Sequence, residues 1–394
     1  MEKRDAASAT EGYDPEGRNQ SAERIEWEGV IFHGAAYSFP CSAVGTQKHG
    51  DRRASARVDM PLVSVIVPCY NEQHTIGALL NALCRQTWEI SQLDIVLADG
   101  MSTDDTRRIV EAFRLEHPEL ALRLIDNTQR SIPSGLNRAI AASRGEVILR
   151  LDAHAMPAPD YIERCLAVLR DTGAANVGGR WEILPSRSGP VGRAIAEAGS
   201  HPLGAGDARY RTGGRAGPVE TVPFGAYPRA WLERVGGYDE TLLTNEDYEL
   251  NLRLRLAGGT VWFDPSIRST YFARPTFVAL WRQYLRYGTW KARMLRRYPG
   301  SLRWRQMVAP LFVALTGALA ALSIWFPMWR ALLGLQWGAY ALALGFSGIE
   351  RAIRRRDAHL VWGLPAALFA IHVAWGGGFW WGLLTGFGNR HDRA

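Results

Sequence analysis

The C-terminal third of this chain leaves few ways for it to fold. Residues 307–326 form a run of 20 without a charged side chain, residues 331–347 a run of 17, and residues 358–389 contain no Asp, Glu, Lys or Arg at all. A helix needs about 20 apolar residues to cross the hydrocarbon core of a bilayer. The first run is long enough, the second is at the short limit, and the third exceeds one crossing. A single such run can equally be a buried helix of a large soluble domain, but three in succession, separated by arginine clusters, favour membrane helices. Arg296, Arg297, Arg303 and Arg305 precede the first run, and the arginine-rich "GIERAIRRRD" follows the second. By the positive-inside rule both lie on the cytosolic face, so these runs form a hairpin. The third run is expected to cross at about 361–381, ending at Trp380-Trp381 and leaving "GNRHDRA" outside. Gly376-Gly377-Gly378 interrupts it and offers a re-entrant fold as the alternative.

The formal net charge of +7 is carried almost wholly by arginine. Its clusters flank apolar spans, which suits anionic lipid or diphosphates. No zinc-finger, helix-turn-helix or RNA-binding signature is present, so no nucleic-acid partner is expected. Cys41, Cys69, Cys84 and Cys165 have no paired spacing, which fits reduced thiols facing the cytosol and no cysteine metal site. The N-terminal sequence lacks the apolar core of a secretory signal. Residues 1–57 read as a disordered tail, with a short ordered piece at "IEWEGVIF".

Regular structure begins at "PLVSVIVPCYNE". The short apolar run 63–67 reads as a buried strand, "DIVLADG" (94–100) and "GEVILRLD" as further strands, and "ALRLIDN" as strand-like. Between them, "HTIGALLNALCRQ", "STDDTRRIVEAFRLEH" and "SGLNRAIAAS" have helical spacing. The alternation predicts right-handed βαβ units around a mostly parallel sheet, with ligands beyond the carboxyl ends of the strands. Asp99 and Asp152 both fall at such ends. In "RLDAHAMPAPD", Asp152 and His154 are two residues apart and point the same way on an extended chain. They are either a pair of metal ligands or part of a polar loop beside the helix cap Asp160. In "NEDYELNLRLRLAGG", Glu246 and Asp247 open a helix, where acids also serve the helix dipole. The segment 199–218 holds six glycines and three arginines and reads as a mobile loop. "RQYLRYGTWKARMLRRYP" is a basic, aromatic amphipathic segment suited to a membrane surface.

"VSVIVPCYNE", "LADGMSTDDT", "LDAHAMPAPD", "GGYDE" and "NEDYELNLRLRLAGG", in this order, resemble the inverting family-2 glycosyltransferases of GT-A fold. The resemblance is greatest to the membrane-attached enzymes of succinoglycan-type exopolysaccharide biosynthesis. It covers about 61–300, with the C-terminal membrane part in general form. It implies a GT-A domain at 58–275 after the tail of 1–57, an amphipathic interfacial segment at 276–306, and about three transmembrane helices at 307–387. It implies a hexosyltransferase that takes a nucleotide-sugar donor, with UDP-glucose expected, and a polyprenyl-diphosphate-linked glycan as acceptor. Membrane lipids and other polysaccharide-assembly proteins are its implied partners. The implied location is the bacterial inner membrane, multi-pass, with the catalytic domain in the cytosol.

The resemblance also implies roles for residues. Asp247 matches the base that deprotonates the acceptor hydroxyl, and Glu246 would orient acceptor or base. Pro68, Tyr70, Glu72, Asp99, Arg130 and Asp152 match donor-binding positions, with Tyr70 against the base and Asp99 accepting from a uracil N–H. Two adjacent acids are common at the latter position, and here Ala98 takes the first place. Asp152 and His154 stand where the family has Asp-x-Asp, which implies a divalent metal, Mn²⁺ or Mg²⁺. Gln283, Arg286 and Tyr287 match a Gln-x-x-Arg-Trp element that contacts the diphosphate and acceptor. A processive polysaccharide synthase is the nearest alternative; a non-catalytic membrane sensor of nucleotide sugars is one of another class.

Overall fold

The computed structural model describes residues 62–385. The N-terminal tail with "IEWEGVIF" and Cys41, and the terminal "GNRHDRA", lie outside the described residues. The first half alternates as expected: β1 (Val63–Cys69), α1 (Ile76–Cys84), β2 (Leu93–Asp99), α2 (Thr106–Glu116), β3 (Ala121–Asp126), α3 (Ile132–Ala142), β4 (Val147–Arg150), β5 (Met156–Pro157) and α4 (Tyr161–Thr172). Then come β6 (Asn176–Pro185), α5 (Pro190–Ser200), α6 (Pro202–Ala205), α7 (Arg209–Thr212), β7 (Gly217–Pro218), β8 (Ala226–Pro228), α8 (Arg229–Val235), α9 (Glu246–Leu256) and β9 (Val261–Ala273). The chain closes with α10 (Phe277–Arg297), α11 (Val308–Leu322), α12 (Pro327–Arg355) and α13 (Leu360–Thr385).

Among the described residues the strands form one sheet in the order β3-β2-β1-β4-β8-β6-β9-β5, with β7 on β9. Strands β3, β2, β1 and β4 are mutually parallel. Every residue of β2, and all but Pro68 of β1, is buried, because helices cover both faces of these central strands. The parallel strands therefore end together on one edge, and the turns after β1, β2 and β4 line a common crevice.

Strand β6 is hidden in the sequence because Gly178-Gly179 breaks its alternation. The glycines are required by packing. A Cβ on Gly179 would lie 1.8 Å from the Ile267 carbonyl oxygen of β9, where the register between the two strands shifts. The glycine-rich segment expected to be mobile is instead folded into α6 and α7 and lies over the crevice. Arg211 of α7 holds it there, with its guanidinium 5.2 Å from the Trp181 ring, 5.6 Å from Tyr210 and 5.8 Å from Tyr271.

Helix α11 together with the helical turn before it (Trp304–Leu322), α12 and α13 are each long and apolar enough to cross a membrane. The expected interruption at Gly376-Gly377-Gly378 is absent: α13 runs through it unbroken. Glycine here serves close helix packing, as small residues do between membrane helices. A Cβ on Gly378 would sit 2.1 Å from the Leu285 carbonyl of α10, and one on Gly376 would sit 2.6 Å from the Ala309 carbonyl of α11. Both ends of α13 lie beside the sheet domain. At its start, Gly363 packs on Ala194 of α5, and the preceding turn is tied down by Arg193–Asp357 at 2.6 Å and Arg351–Glu197 at 3.1 Å. At its end, Arg296 of α10 donates to the Gly382 carbonyl at 3.0 Å, and the neighbouring Arg297 pairs with Asp239 of the sheet domain.

Candidate active site

Three turns build the crevice. After β1, Asn71 takes a left-handed conformation, φ 54°, and ties the turn to the end of β2: its backbone N–H donates to Ser102 Oγ at 2.9 Å and its side-chain oxygen accepts from the Thr103 N–H at 2.8 Å. Glu72 accepts from the Thr75 hydroxyl and meets His154 Nδ1 at 3.2 Å. After β4, Asp152 and His154 both face the crevice. At the start of α9, Asn245 again adopts a left-handed conformation and presents Glu246 and Asp247 to the same space.

Arg150 joins these parts. Its side chain is only 3% exposed and reaches three carboxylates: Asp152 at 3.0 Å, Glu246 at 3.0 Å, and Asp247 in a still closer pair. Burial works against its charge, but Asp247, Asp152 and Glu246 outweigh that and hold its pKa well above the ordinary value. Such a cluster is tolerated because the guanidinium fork satisfies several oxygens at once. Sequence reading missed Arg150, although a signal was present. It precedes Asp152 by two, so at the end of a strand both side chains face one way.

Burial pushes the Asp247 carboxyl up to about 7, against the pull of Arg150 and with the repulsion of Glu246 and Asp152. A carboxylate so poised can accept a proton near neutral pH. For His154, burial disfavours the charged form, yet the hydrogen bond and charge of Glu72 and the charge of Asp152 raise its pKa overall. Glu72 thus orients the imidazole, as a carboxylate on the far ring nitrogen orients a metal-binding histidine. Among the described residues no cluster of three or more His, Cys, Asp or Glu could hold an ion by itself. Asp152 and His154 are two donors on one wall, a set that suits a cation whose remaining ligands come from phosphate oxygens.

A cavity of about 1830 Å³ connects the expected residues. Pro68, Tyr70, Glu72 and Arg130 line one end; Asp152, His154, Glu246 and Asp247 line the middle; Gln283, Arg286 and Tyr287 of α10 line another wall. The buried Gln283 amide oxygen accepts from Arg274 at 3.2 Å and from the Tyr271 and Tyr287 hydroxyls at 3.2 and 3.1 Å. Arg286 Nε is buried in this wall and has no hydrogen-bond partner among the described residues, which leaves a donor for an anion.

Asp99 is the residue that the structure does not bring to the crevice. It is 0% exposed, lies below the floor, and does not line the cavity. Its carboxylate accepts from the Ser102 N–H at 3.0 Å, from the Ser102 hydroxyl, and from Arg107 at 2.7 Å. In this arrangement Asp99 organises the turn after β2, apart from the crevice in which the hydrogen bond from a uracil N–H was expected. Arg107 and Ser102 lie within eight residues of it and take up its acceptor oxygens.

The family model for glycosyl transferase family 2 matches residues 64–236. The succinoglycan biosynthesis protein ExoA of Rhizobium meliloti is 32% identical over 324 residues, which cover 81% of this chain and 94% of that protein. A Methanococcus voltae protein named dolichyl N-acetyl-alpha-D-glucosaminyl phosphate 3-beta-D-2,3-diacetamido-2,3-dideoxy-beta-D-glucuronosyltransferase is 26% identical, over 83% of this chain and 98% of that one. Among solved structures, the Pyrobaculum calidifontis mannosyltransferase in complex with GDP-Man and Mn²⁺ superposes with a TM-score of 0.54 at 23% identity, covering 80% of this chain and 87% of that one. That likeness concerns the fold, the GT-A arrangement of a mostly parallel sheet with its crevice at the strand ends. With the ExoA similarity spanning nearly all of that relative, this chain belongs to glycosyl transferase family 2.

Proposed function

We propose that this nucleotide-sugar-dependent glycosyltransferase adds one hexose, from UDP-glucose, to a polyprenyl-diphosphate-linked glycan during exopolysaccharide assembly, with inversion at the anomeric carbon. The observation that carries the reading is the placement of Asp247 and Asp152 on one cavity, joined by Arg150. Asp247 takes the proton of the acceptor hydroxyl as that oxygen attacks the anomeric carbon and the nucleoside diphosphate leaves. Glu246 keeps Arg150 in place beside it. Tyr70, Pro68 and Arg130 line the end of the cavity that takes the nucleotide, and Arg286 faces the diphosphate. Asp152 and His154 are the residues that would hold a divalent cation, which when bound would supply positive charge to the leaving diphosphate. The names of the Rhizobium and Methanococcus relatives support glycan assembly, and the Mn²⁺ named with the Pyrobaculum structure supports a divalent ion. The test is incubation of membranes containing the protein with a panel of labelled nucleotide sugars and lipid-linked acceptors. One hexose is added, from UDP-glucose; label from another donor corrects the sugar, and label from none overturns the reading.

Chelation gives the first expected result. Excess EDTA abolishes transfer, and Mn²⁺ restores it. His154→Asp shifts the preference toward Mg²⁺, because an all-oxygen pair suits the harder ion. Full activity in excess chelator contradicts the assignment of Asp152 and His154.

The second concerns topology. We place the sheet domain on the cytosolic face of the bacterial inner membrane, with α11 and α12 crossing as a hairpin. Helix α13 spans about 39 Å at 1.5 Å per residue, yet the contacts of Gly363 and Arg296 keep both its ends beside the sheet domain. A crossing helix has its ends on opposite sides of about 30 Å of hydrocarbon. Helix α13 is therefore read as lying along the membrane interface, in place of the third crossing. A reporter fused after Ala394 then reads cytosolic, as does one after Ile353. A periplasmic signal after Ala394 with a cytosolic one after Ile353 restores the third crossing.

A further inference from the structure

Helix α10 buries a lysine that the transfer chemistry does not use. Lys291 is only 2% exposed, and among the described residues its ammonium forms no ion pair with a carboxylate. It donates instead to the Ser301 carbonyl at 2.8 Å, in the short turn Pro299–Ser301 that follows α10. It also stands over the Tyr248 ring of α9, 3.7 Å from the centroid. A desolvated cation is attracted to such a face. The Tyr248 hydroxyl lies 3.1 Å from the same Ser301 carbonyl and 3.3 Å from a Glu220 carboxylate oxygen. Lys291 and Tyr248, from two helices, therefore close on one turn.

Tyr248 follows Asp247 directly at the start of α9, and both line the cavity. On the other side, α10 and the turn are packed on the apolar helices. A Cβ on Gly288 would lie 2.2 Å from the Trp375 carbonyl of α13, and Trp375 Nε1 donates to the Gln306 carbonyl at 3.2 Å. The contact thus joins the helix that carries Asp247 to the apolar helices. The charges around Lys291 leave it without an acid. From α9, Arg255 acts on it, while Glu249 is taken up by Arg253 and the Tyr298 hydroxyl. Before α11, Arg303 turns to Glu220 and Arg305 to Asp207. Helix α13 has no Asp, Glu, Lys or Arg, and α5 uses Arg193 on Asp357 and Glu197 on Arg351. Burial, and then the charge of Arg255, push the Lys291 amine down to about 7. The ammonium therefore costs the fold more than an apolar chain of the same length. What it adds is the grip on Tyr248.

We propose that Lys291 is a positioning residue for transfer: its ammonium clamps Tyr248 to the turn before α11 and so sets the start of α9, with Asp247, against the rest of the cavity. The inference rests on the reading of Asp247 as the base. A neutral amine loses the attraction to the ring. The clamp therefore holds at low pH and loosens as pH rises through about 7. Transfer needs Asp247 deprotonated and Lys291 protonated, so activity falls on both sides of a narrow optimum.

The test uses the purified full chain with Mn²⁺, labelled UDP-glucose and a polyprenyl-diphosphate-linked acceptor. Lys291→Met lowers kcat by roughly ten- to a hundredfold, the effect of a misplaced reacting group, while equilibrium binding of UDP is unchanged. Its thermal midpoint holds or rises, because a buried charge has been removed. The wild type has an alkaline limb near neutral pH, and Lys291→Met lacks it. Lys291→Arg, charged at every pH used, keeps more activity than Lys291→Met and also lacks the limb. Tyr248→Leu behaves as Lys291→Met does, and the double variant is no slower than the slower single one, because both remove the same contact. Wild-type kcat in Lys291→Met, or an alkaline limb that survives in it, overturns the inference and leaves the transfer reading standing. A lowered midpoint in Lys291→Met marks the lysine as part of the fold alone and overturns it too. Transfer by no form of the protein, with any nucleotide sugar, removes the transfer reading and this inference with it.

Discussion

Replacing Asp247 with Asn lowers turnover by about 10²–10⁴-fold, the usual contribution of a general base, while donor affinity changes little. The amide keeps the size of the carboxylate but cannot take a proton. The residues proposed to take the donor, Pro68, Tyr70 and Arg130, line the cavity apart from Asp247, so equilibrium binding of UDP separates loss of chemistry from loss of the site. The pH profile gives the same result independently. The base must be deprotonated to act, and burial holds Asp247 at about 7. Turnover of the wild type therefore falls as pH drops through that region, with a bound cation moving the limb lower. Near-normal turnover of a folded Asp247→Asn protein would sink the assignment.

Arg150→Met is expected to damage both stability and activity. The substitution leaves Asp152, Glu246 and Asp247 without the cation that now pairs with all three. Removing one partner from a buried ion pair typically costs about 3–5 kcal/mol. The thermal midpoint drops, and the pKa of Asp247 rises further because its attractive neighbour is gone. The acidic limb of the activity profile moves to higher pH as a result. Arg150→Lys keeps the charge but not the fork, so it falls between wild type and Met. Added divalent cation with UDP recovers part of the lost stability, because ligand binds the folded state alone. An unchanged midpoint and profile in Arg150→Met would show that the cluster does not depend on this arginine.

The sequence-level legibility of the site follows from physics at particular residues. Strands β1, β2 and β4 are short apolar runs buried on both faces, so their ends, and with them Tyr70, Asp152 and His154, could be placed directly. Glu246 and Asp247 were legible as acids opening a helix, and only the neighbouring motifs separated chemistry from capping. Asp99 ends a strand as Asp152 does, but Ser102 and Arg107 draw its carboxylate into the turn, a local pairing that its position at a strand end does not record. Strand β6 was lost to Gly178-Gly179, whose need arises from a strand distant in sequence. The same holds for the glycines of α13, which read as an interruption and act as a packing surface. Arg211 in its setting of Trp181, Tyr210 and Tyr271 depends on contacts between separate segments that no local pattern records.

The most direct test of direct displacement at Asp247 is the anomeric configuration of the first product. The purified full chain, in detergent or lipid, is given Mn²⁺, ¹³C-labelled UDP-glucose and a polyprenyl-diphosphate-linked acceptor, and the new linkage is read by NMR. The donor is an α-glucoside, so single displacement with Asp247 as base gives a β-linked hexose, and Asp247→Asn gives essentially none. An α-linked product, or β-linked product formed equally well by Asp247→Asn, would contradict this account.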